Sequence, residues 1–132
     1  MENFQKLSYP LGRVLLGVLF LVAGLGKLAG GAEGLAFFIE TQLPLGFLAW
    51  PVIIFEIAVG ILLIIGYQTR WVALSAALFC VFTGVFYHLI PGMADPASMQ
   101  MQITATLKNV ALAGGYLLLF AKGAGGMCVD RT

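Results

Sequence analysis

The sequence predicts an all-α integral membrane protein, a four-helix bundle with a short interfacial helix between its first and second spans. Three observations carry that prediction. Of 132 residues, 61% are apolar and 10% charged, against about 45–50% and about 25% in an ordinary soluble domain. Four apolar stretches each approach the roughly 20 residues that a spanning helix needs. The few charges recur at matching helical depths. A compact chain this short cannot hide so much apolar surface from water, and the mean hydropathy of +0.99 agrees. A soluble enzyme, a nucleic-acid binder and a disordered tail are excluded, and a net charge of +1 offers nothing to an acidic partner.

The chain forms a single transmembrane domain. Its first span runs from about residue 9 to 29. It begins like a secretory signal, with Lys6 and Arg13 before an apolar core. Removal would leave three spans and discard two of the most informative cations, so it is read as a retained helix. Gly30 to Gly46 follows, and its middle, Glu33 to Gln42, carries Leu35, Phe37, Phe38 and Ile39. Too short to span, this segment suits a helix lying in the interface. The second span covers about 47–66, with Pro51 in its first turn, where a missing N–H costs least. Gly66-Tyr67-Gln68-Thr69 turns tightly into the third span, about 70–89, which Pro91-Gly92 is expected to stop. Asp95-Pro96 opens a polar loop before the fourth span, about 103–121.

Cationic residues set the orientation. With four spans, both ends and the second loop share a side that holds Lys6, Arg13, Arg70, Lys122 and Arg131. Lys27 and Lys108 lie toward the other. Both termini are therefore expected in the cytoplasm. Small residues at packing spacing (Ala73 with Ala77, Ala111 with Gly115, Gly26 with Gly30) suit close helix approach in lipid.

Depth makes the remaining charges informative. Arg13 to Lys27, Glu56 to Arg70 and Lys108 to Lys122 each span 14 residues, or about 21 Å of helix. Lys27, Glu56 and Lys108 should share one level, about two-thirds of the way across a core about 30 Å thick. Asn109 adjoins Lys108, Thr83 and Tyr87 approach that level from below on the third helix, and His88, 18 residues from Arg70, lies near the outer boundary. A charge at such depth is costly unless it turns inward and pairs. Glu56 and Lys108 are expected to do so, whereas Lys27 lies near a helix end and can snorkel.

Two readings follow. The pair is an interhelical lock, or the level is a binding site. Two lysines face one carboxylate, so unless Glu33 or Glu40 folds back, one positive charge lacks a partner. An anion, or a head with carbonyl oxygens such as a quinone, would satisfy it. Lys27, Glu56, Tyr87, Lys108 and Asn109 are the ligand-binding candidates. His88 is the candidate proton relay, because an imidazole titrates at roughly pH 6.5. Arg13 and Arg70 read as interfacial anchors. Tyr9, Trp50, Tyr67, Trp71 and Tyr87 form an aromatic belt, and Tyr116, at mid-span, is a packing residue.

Cys80 at mid-span and Cys128 in the tail differ too much in depth for a disulfide and read as plain thiols. Met93, Met99 and Met101 near His88 offer a weak copper pattern, better read as lipid contact; no metal is assigned. Phosphate-loop, dinucleotide and Ser-His-Asp patterns are absent from the sequence. Gly123, Gly125 and Gly126 read as a stop after the last helix.

These residues resemble the DoxX family of small bacterial inner-membrane proteins over nearly the whole chain. Gly12-Arg13 and Gly24-Leu25-Gly26-Lys27-Leu28 look like its first helix. Glu56, Gly60, Leu62-Leu63, Gly66 and Thr69-Arg70 look like its second helix and turn. Tyr87-His88, Lys108-Asn109 and Gly114-Gly115 complete the match. The tail departs: Gly123-Ala124-Gly125 and Cys128-Val129-Asp130 stand where the family often has Gly-Pro-Gly and Ser-Leu-Asp. The resemblance implies a four-helix bacterial inner-membrane protein. Relatives include a subunit of a thiosulfate:quinone oxidoreductase, so a quinone-linked oxidoreductase role is implied too. No motif for an intrinsic cofactor comes with it.

Three functions are consistent with these residues. One is a membrane redox component that binds a quinone or small anion near the outer leaflet and takes electrons from a partner subunit. Another is an accessory or assembly protein whose charged layer fixes packing. The third is a small transporter, which with four spans would work as a homo-oligomer. The lipid bilayer is a partner in all three, and nucleic acid in none.

Overall fold

The structure, a computed structural model, describes residues 1–130. Arg131, counted above among the cytoplasmic-side cations, lies outside them. Helix α1 spans Glu2–Gly30, beginning seven residues before the expected span and running through Pro10. At 29 residues it is about 43 Å long, so its first turns extend beyond a hydrocarbon core. Gly31, at φ 90°, breaks the chain direction, and α2 covers Ala32–Gln42, where the short helix was expected. A 3-10 turn at Gly46–Leu48 leads into α3, Ala49–Ile65. The third span comprises α4, Thr69–Gly84, a π-turn at Val85–Leu89 and α5, Ile90–Ala94. Helix α6 covers Met99–Lys122. Four segments are long and apolar enough to cross a membrane.

Pro91-Gly92 does not end the third helix, as the sequence reading expected. A proline inside a helix loses one hydrogen bond and crowds the carbonyl four residues back. Here the Ile90 N–H reaches back to the Val85 carbonyl. That widened turn immediately before Pro91 relieves the crowding and lets the helix continue to Ala94.

The bundle is built from two close pairs, α1 with α3 and α4 with α6. Glycine brings the first pair together. A β-carbon on Gly60 would lie 2.8 Å from the Gly17 carbonyl oxygen, and one on Gly24 would lie 3.1 Å from the Glu56 β-carbon. Gly26 and Gly30, which the spacing suggested, face open space. Buried Ala73, Ala76, Ala77 and Ala113 serve the second pair. An aromatic cluster joins the pairs. Phe20 lies 5.3 Å from Tyr116 and 5.8 Å from Phe79, and Phe55 and Phe79 lie 5.1 Å apart. Tyr116 also donates its hydroxyl to the Leu16 carbonyl at 2.9 Å. Cys80 and Cys128 are both free thiols.

At one end the chain closes on itself through Arg13. Expected as an interfacial anchor, Arg13 is instead 1% exposed. Its guanidinium donates to the Leu63 carbonyl at 2.9 Å and to those of Ala124, Gly126 and Met127 at 2.6, 2.7 and 2.9 Å. The first carbonyl belongs to the end of α3, where helical carbonyls lack partners; the others belong to the tail. Beyond them, Val129 and Asp130 donate backbone N–H groups to Ile65 and Gly66. The Asp130 carboxylate then accepts from Gln68 N–H at 2.7 Å and Thr69 N–H at 2.8 Å, capping α4 from 61 residues away. Burial alone would raise the Asp130 carboxyl, but the bonds from Thr69 and Gln68, with Arg13 nearby, hold it below the ordinary carboxylate value. Arg70 is exposed and donates to the Ala121 carbonyl at 2.9 Å, satisfying the end of α6. The three cations used as zero for depth thus gather at one end.

Candidate functional site

Toward the other end of the bundle lies a cavity of about 360 Å³. Its walls are mostly apolar: Phe20 and Phe79 extend into it from the aromatic cluster, Leu112 faces it from α6, and Leu35 and Ile39 of α2 cover one side. This volume falls within the range of about 300–1,000 Å³ typical of small-molecule sites.

The polar part of the lining is what the depth argument singled out. Lys27, Glu56, Tyr87, His88, Lys108 and Asn109 all face this one cavity. Four helical segments deliver them, and the Gly24 contact holds α1 against α3 just where Lys27 and Glu56 project. Glu56 is 3% exposed, and both its oxygens lie 2.8 Å from Lys27 Nζ. The expected partner was Lys108, and this is corrected. Lys27 has no need to snorkel, because the neighbouring helix offers it a carboxylate.

Lys108 has no ion pair among the described residues. Neither glutamate of α2 folds back to it. Glu33 and Glu40 are both exposed, and Glu40 Oε2 accepts from the Gly46 N–H at 2.8 Å. The charge count made from sequence therefore persists, with Lys108 as the unbalanced cation.

The remaining candidates sit around these charges. Asn109 donates to Thr83 Oγ1 at 3.1 Å and to the Cys80 carbonyl at 3.3 Å. Tyr87 packs 6.0 Å from Phe38 of α2. His88 Nδ1 lies 2.8 Å from Gln102 Oε1. With the Gln102 amide oxygen turned toward the ring, Nδ1 donates and Nε2 is left free. The π-turn places both Tyr87 and His88, a common use of such turns. Arg13 and Arg70 lie at the opposite end and take no part.

Sequence reasoning missed two residues here. Gln102 sets the His88 tautomer; a polar side chain just inside the start of α6 was the available signal. Cys80 lines the cavity beside Glu56, and only its depth was legible. No group of His, Cys, Asp or Glu among the described residues is arranged to hold a metal ion.

A family model described as DoxX matches residues 9–89. "Inner membrane protein YqjF" of Escherichia coli (strain K12) is 31% identical over 131 residues, covering 99% of this chain and 95% of that protein. "Inner membrane protein YphA" of the same organism is 27% identical, covering 92% of this chain and 86% of the relative. "Putative oxidoreductase CatD" of Bacillus subtilis (strain 168) is 29% identical, covering 89% and 87%. No solved structure matches.

Proposed function

Because this chain belongs to the DoxX family of multi-pass inner-membrane proteins, we propose that it is a membrane redox component whose cavity holds a quinone or a small anion. One observation carries the reading: six polar side chains from separate helical segments converge on one apolar cavity, and one of them, Lys108, is an unbalanced cation. The oxidoreductase name of the Bacillus subtilis relative supports the redox part.

The residues present suit a quinone head. Carbonyl oxygens need donors, and Lys108, Lys27 and the Tyr87 hydroxyl supply them beside an apolar wall. A bound quinone would supply the redox chemistry, with electrons arriving from a partner subunit. Lys108 and Lys27 orient the head, Asn109 holds the α4 side, and α2 keeps out water. His88 relays protons through Nε2 while Gln102 fixes its ring. The distribution of cations supports cytoplasmic termini and, with them, a cavity toward the outer leaflet.

Affinity for a decyl-tailed benzoquinone and for thiosulfate, measured on protein in nanodiscs, tests this reading. Leu112→Trp fills the cavity and should abolish binding of whichever ligand the native chain takes, with thermal unfolding confirming that the variant is folded. Binding untouched by the filled cavity would overturn the proposal.

A second reading is favoured by the Lys27–Glu56 contact itself. Two short contacts across the α1–α3 pair suit a lock in an accessory protein, whose exposed faces then bind another membrane protein.

A further inference from the structure

We infer that the cavity selects an amphiphile whose head carries one negative charge, and that Lys108 makes the selection. The inference rests on reading the cavity as a binding site and narrows its occupant, setting aside both a neutral quinone head and a bare small anion.

The argument is an inventory of groups facing the cavity. Its charged lining residues are Lys27, Glu56 and Lys108. Lys27 and Glu56 neutralise each other, with both carboxylate oxygens 2.8 Å from Nζ. Tyr87, His88 and Cys80 bring no carboxylate. Glu33 and Glu40 do not line the cavity, and Glu40 is held by the Gly46 N–H. Asp95, on the loop before α6, bonds the Ala97 N–H at 3.1 Å and the Ser98 hydroxyl at 3.0 Å. One positive charge remains.

Its position decides what that charge can do. Lys108 is on α6, nine residues from Met99 and 14 from Lys122, well inside the span. Turned outward, its ammonium would meet hydrocarbon, which penalises a charge heavily. Lys108 is exposed at the bundle surface while also lining the cavity, so the cavity is the polar direction within its reach. An anion there gains an ammonium partner in a setting poorly screened by water. A neutral head gains only a hydrogen bond, and a cation is repelled.

The walls add the second requirement. A bare inorganic anion would leave Phe20, Phe79, Phe82 and Leu112 with no apolar body to cover. An apolar chain attached to the anionic head satisfies both surfaces. Carboxylate, sulfonate and phosphate monoanions share the necessary chemistry.

The test uses protein in phosphatidylcholine nanodiscs and two photoreactive probes. Both carry the same diazirine-bearing alkyl chain; one ends in a sulfonate, the other in a neutral methyl sulfone of similar shape. Irradiation and peptide mapping report where each attaches. The sulfonate should label residues 79–83 and the segment around Leu112 about tenfold more than the sulfone, the scale of one hydrogen bond to a charged partner. Lys108→Gln should bring the ratio to about one through loss of that bond, and Lys108→Arg should preserve it. Equal labelling by both probes in the native chain would overturn the inference but leave the binding-site reading standing, with a neutral head such as a quinone. Labelling of the cavity by neither probe would remove both. Displacement of the sulfonate probe by an equal concentration of methanesulfonate would assign the site to a free anion and overturn the amphiphile.

Discussion

The two ends of the bundle treat buried charge in opposite ways. At the Arg13 end the guanidinium is surrounded by carbonyls from α3 and the tail, and Asp130 is committed to the N–H groups of α4. Nearly every polar group there has a partner, the Thr69 hydroxyl being the one buried side-chain oxygen among the described residues without one. At the Lys108 end the helices stand apart around about 360 Å³, a π-turn redirects the third span, and the charges do not balance. Saturated polar networks specify a fold. An incompletely balanced set of charges around a cavity specifies a guest. On the proposed reading, the difference separates charge that holds the fold from charge that meets a ligand.

The contrast can be broken experimentally, and the largest effect should come at the saturated end. Arg13→Met should destabilise the protein by about 3–5 kcal/mol, the scale for removing one partner from a buried charged network. Unfolding in detergent micelles reads this, and a loss under 1 kcal/mol would erase the distinction between the ends. Next comes the Lys27–Glu56 contact, where a double-mutant cycle of Lys27→Met and Glu56→Gln should give a coupling of about 1–3 kcal/mol. A coupling near zero would count against the lock.

A smaller effect belongs to the tail. Asp130→Asn should cost about 1 kcal/mol at neutral pH through a weakened helix cap. Because the folded carboxyl lies below its ordinary value of 3.8, its contribution is complete above that value. It is lost as the pH falls through the folded value. The gap in Tm between native protein and Asp130→Asn should therefore close below about pH 3.8; a gap constant with pH would refute the cap. The smallest change is expected at Lys108. Lys108→Gln should alter stability by less than about 0.5 kcal/mol, because no protein group depends on it. A large loss would show that Lys108 is structural after all.

Much of this was legible because depth along a helix follows from counting. Fourteen residues from a common end placed Lys27, Glu56 and Lys108 around one cavity. Counting gives height and not direction around the axis, so the partner of Glu56 came out as Lys108. The choice was made by Gly17, Gly24 and Gly60, which draw α1 against α3. That Pro91 lies inside a helix was hidden because a π-turn absorbs the ring, a compensation that local propensity does not record. The roles of Arg13 and the tail were least visible. Their contacts join residues 50 to 114 positions apart through backbone groups, which carry no signature in side-chain identity. The positive-φ glycines Gly123, Gly125 and Gly126, read as a stop, do follow the end of α6 at Lys122, and they also shape the turns that bring the tail carbonyls to Arg13.

The order of Arg13 and its acceptors has a consequence for biogenesis. The arginine enters the bilayer with the first helix, while three of its carbonyl acceptors lie 111 to 114 residues later. During synthesis that guanidinium lacks these acceptors until the last helix has formed and the tail has folded back. A chain cut before Ala124 would lack those three acceptors, so the packing of the first helix at Arg13 depends on the last residues to be made.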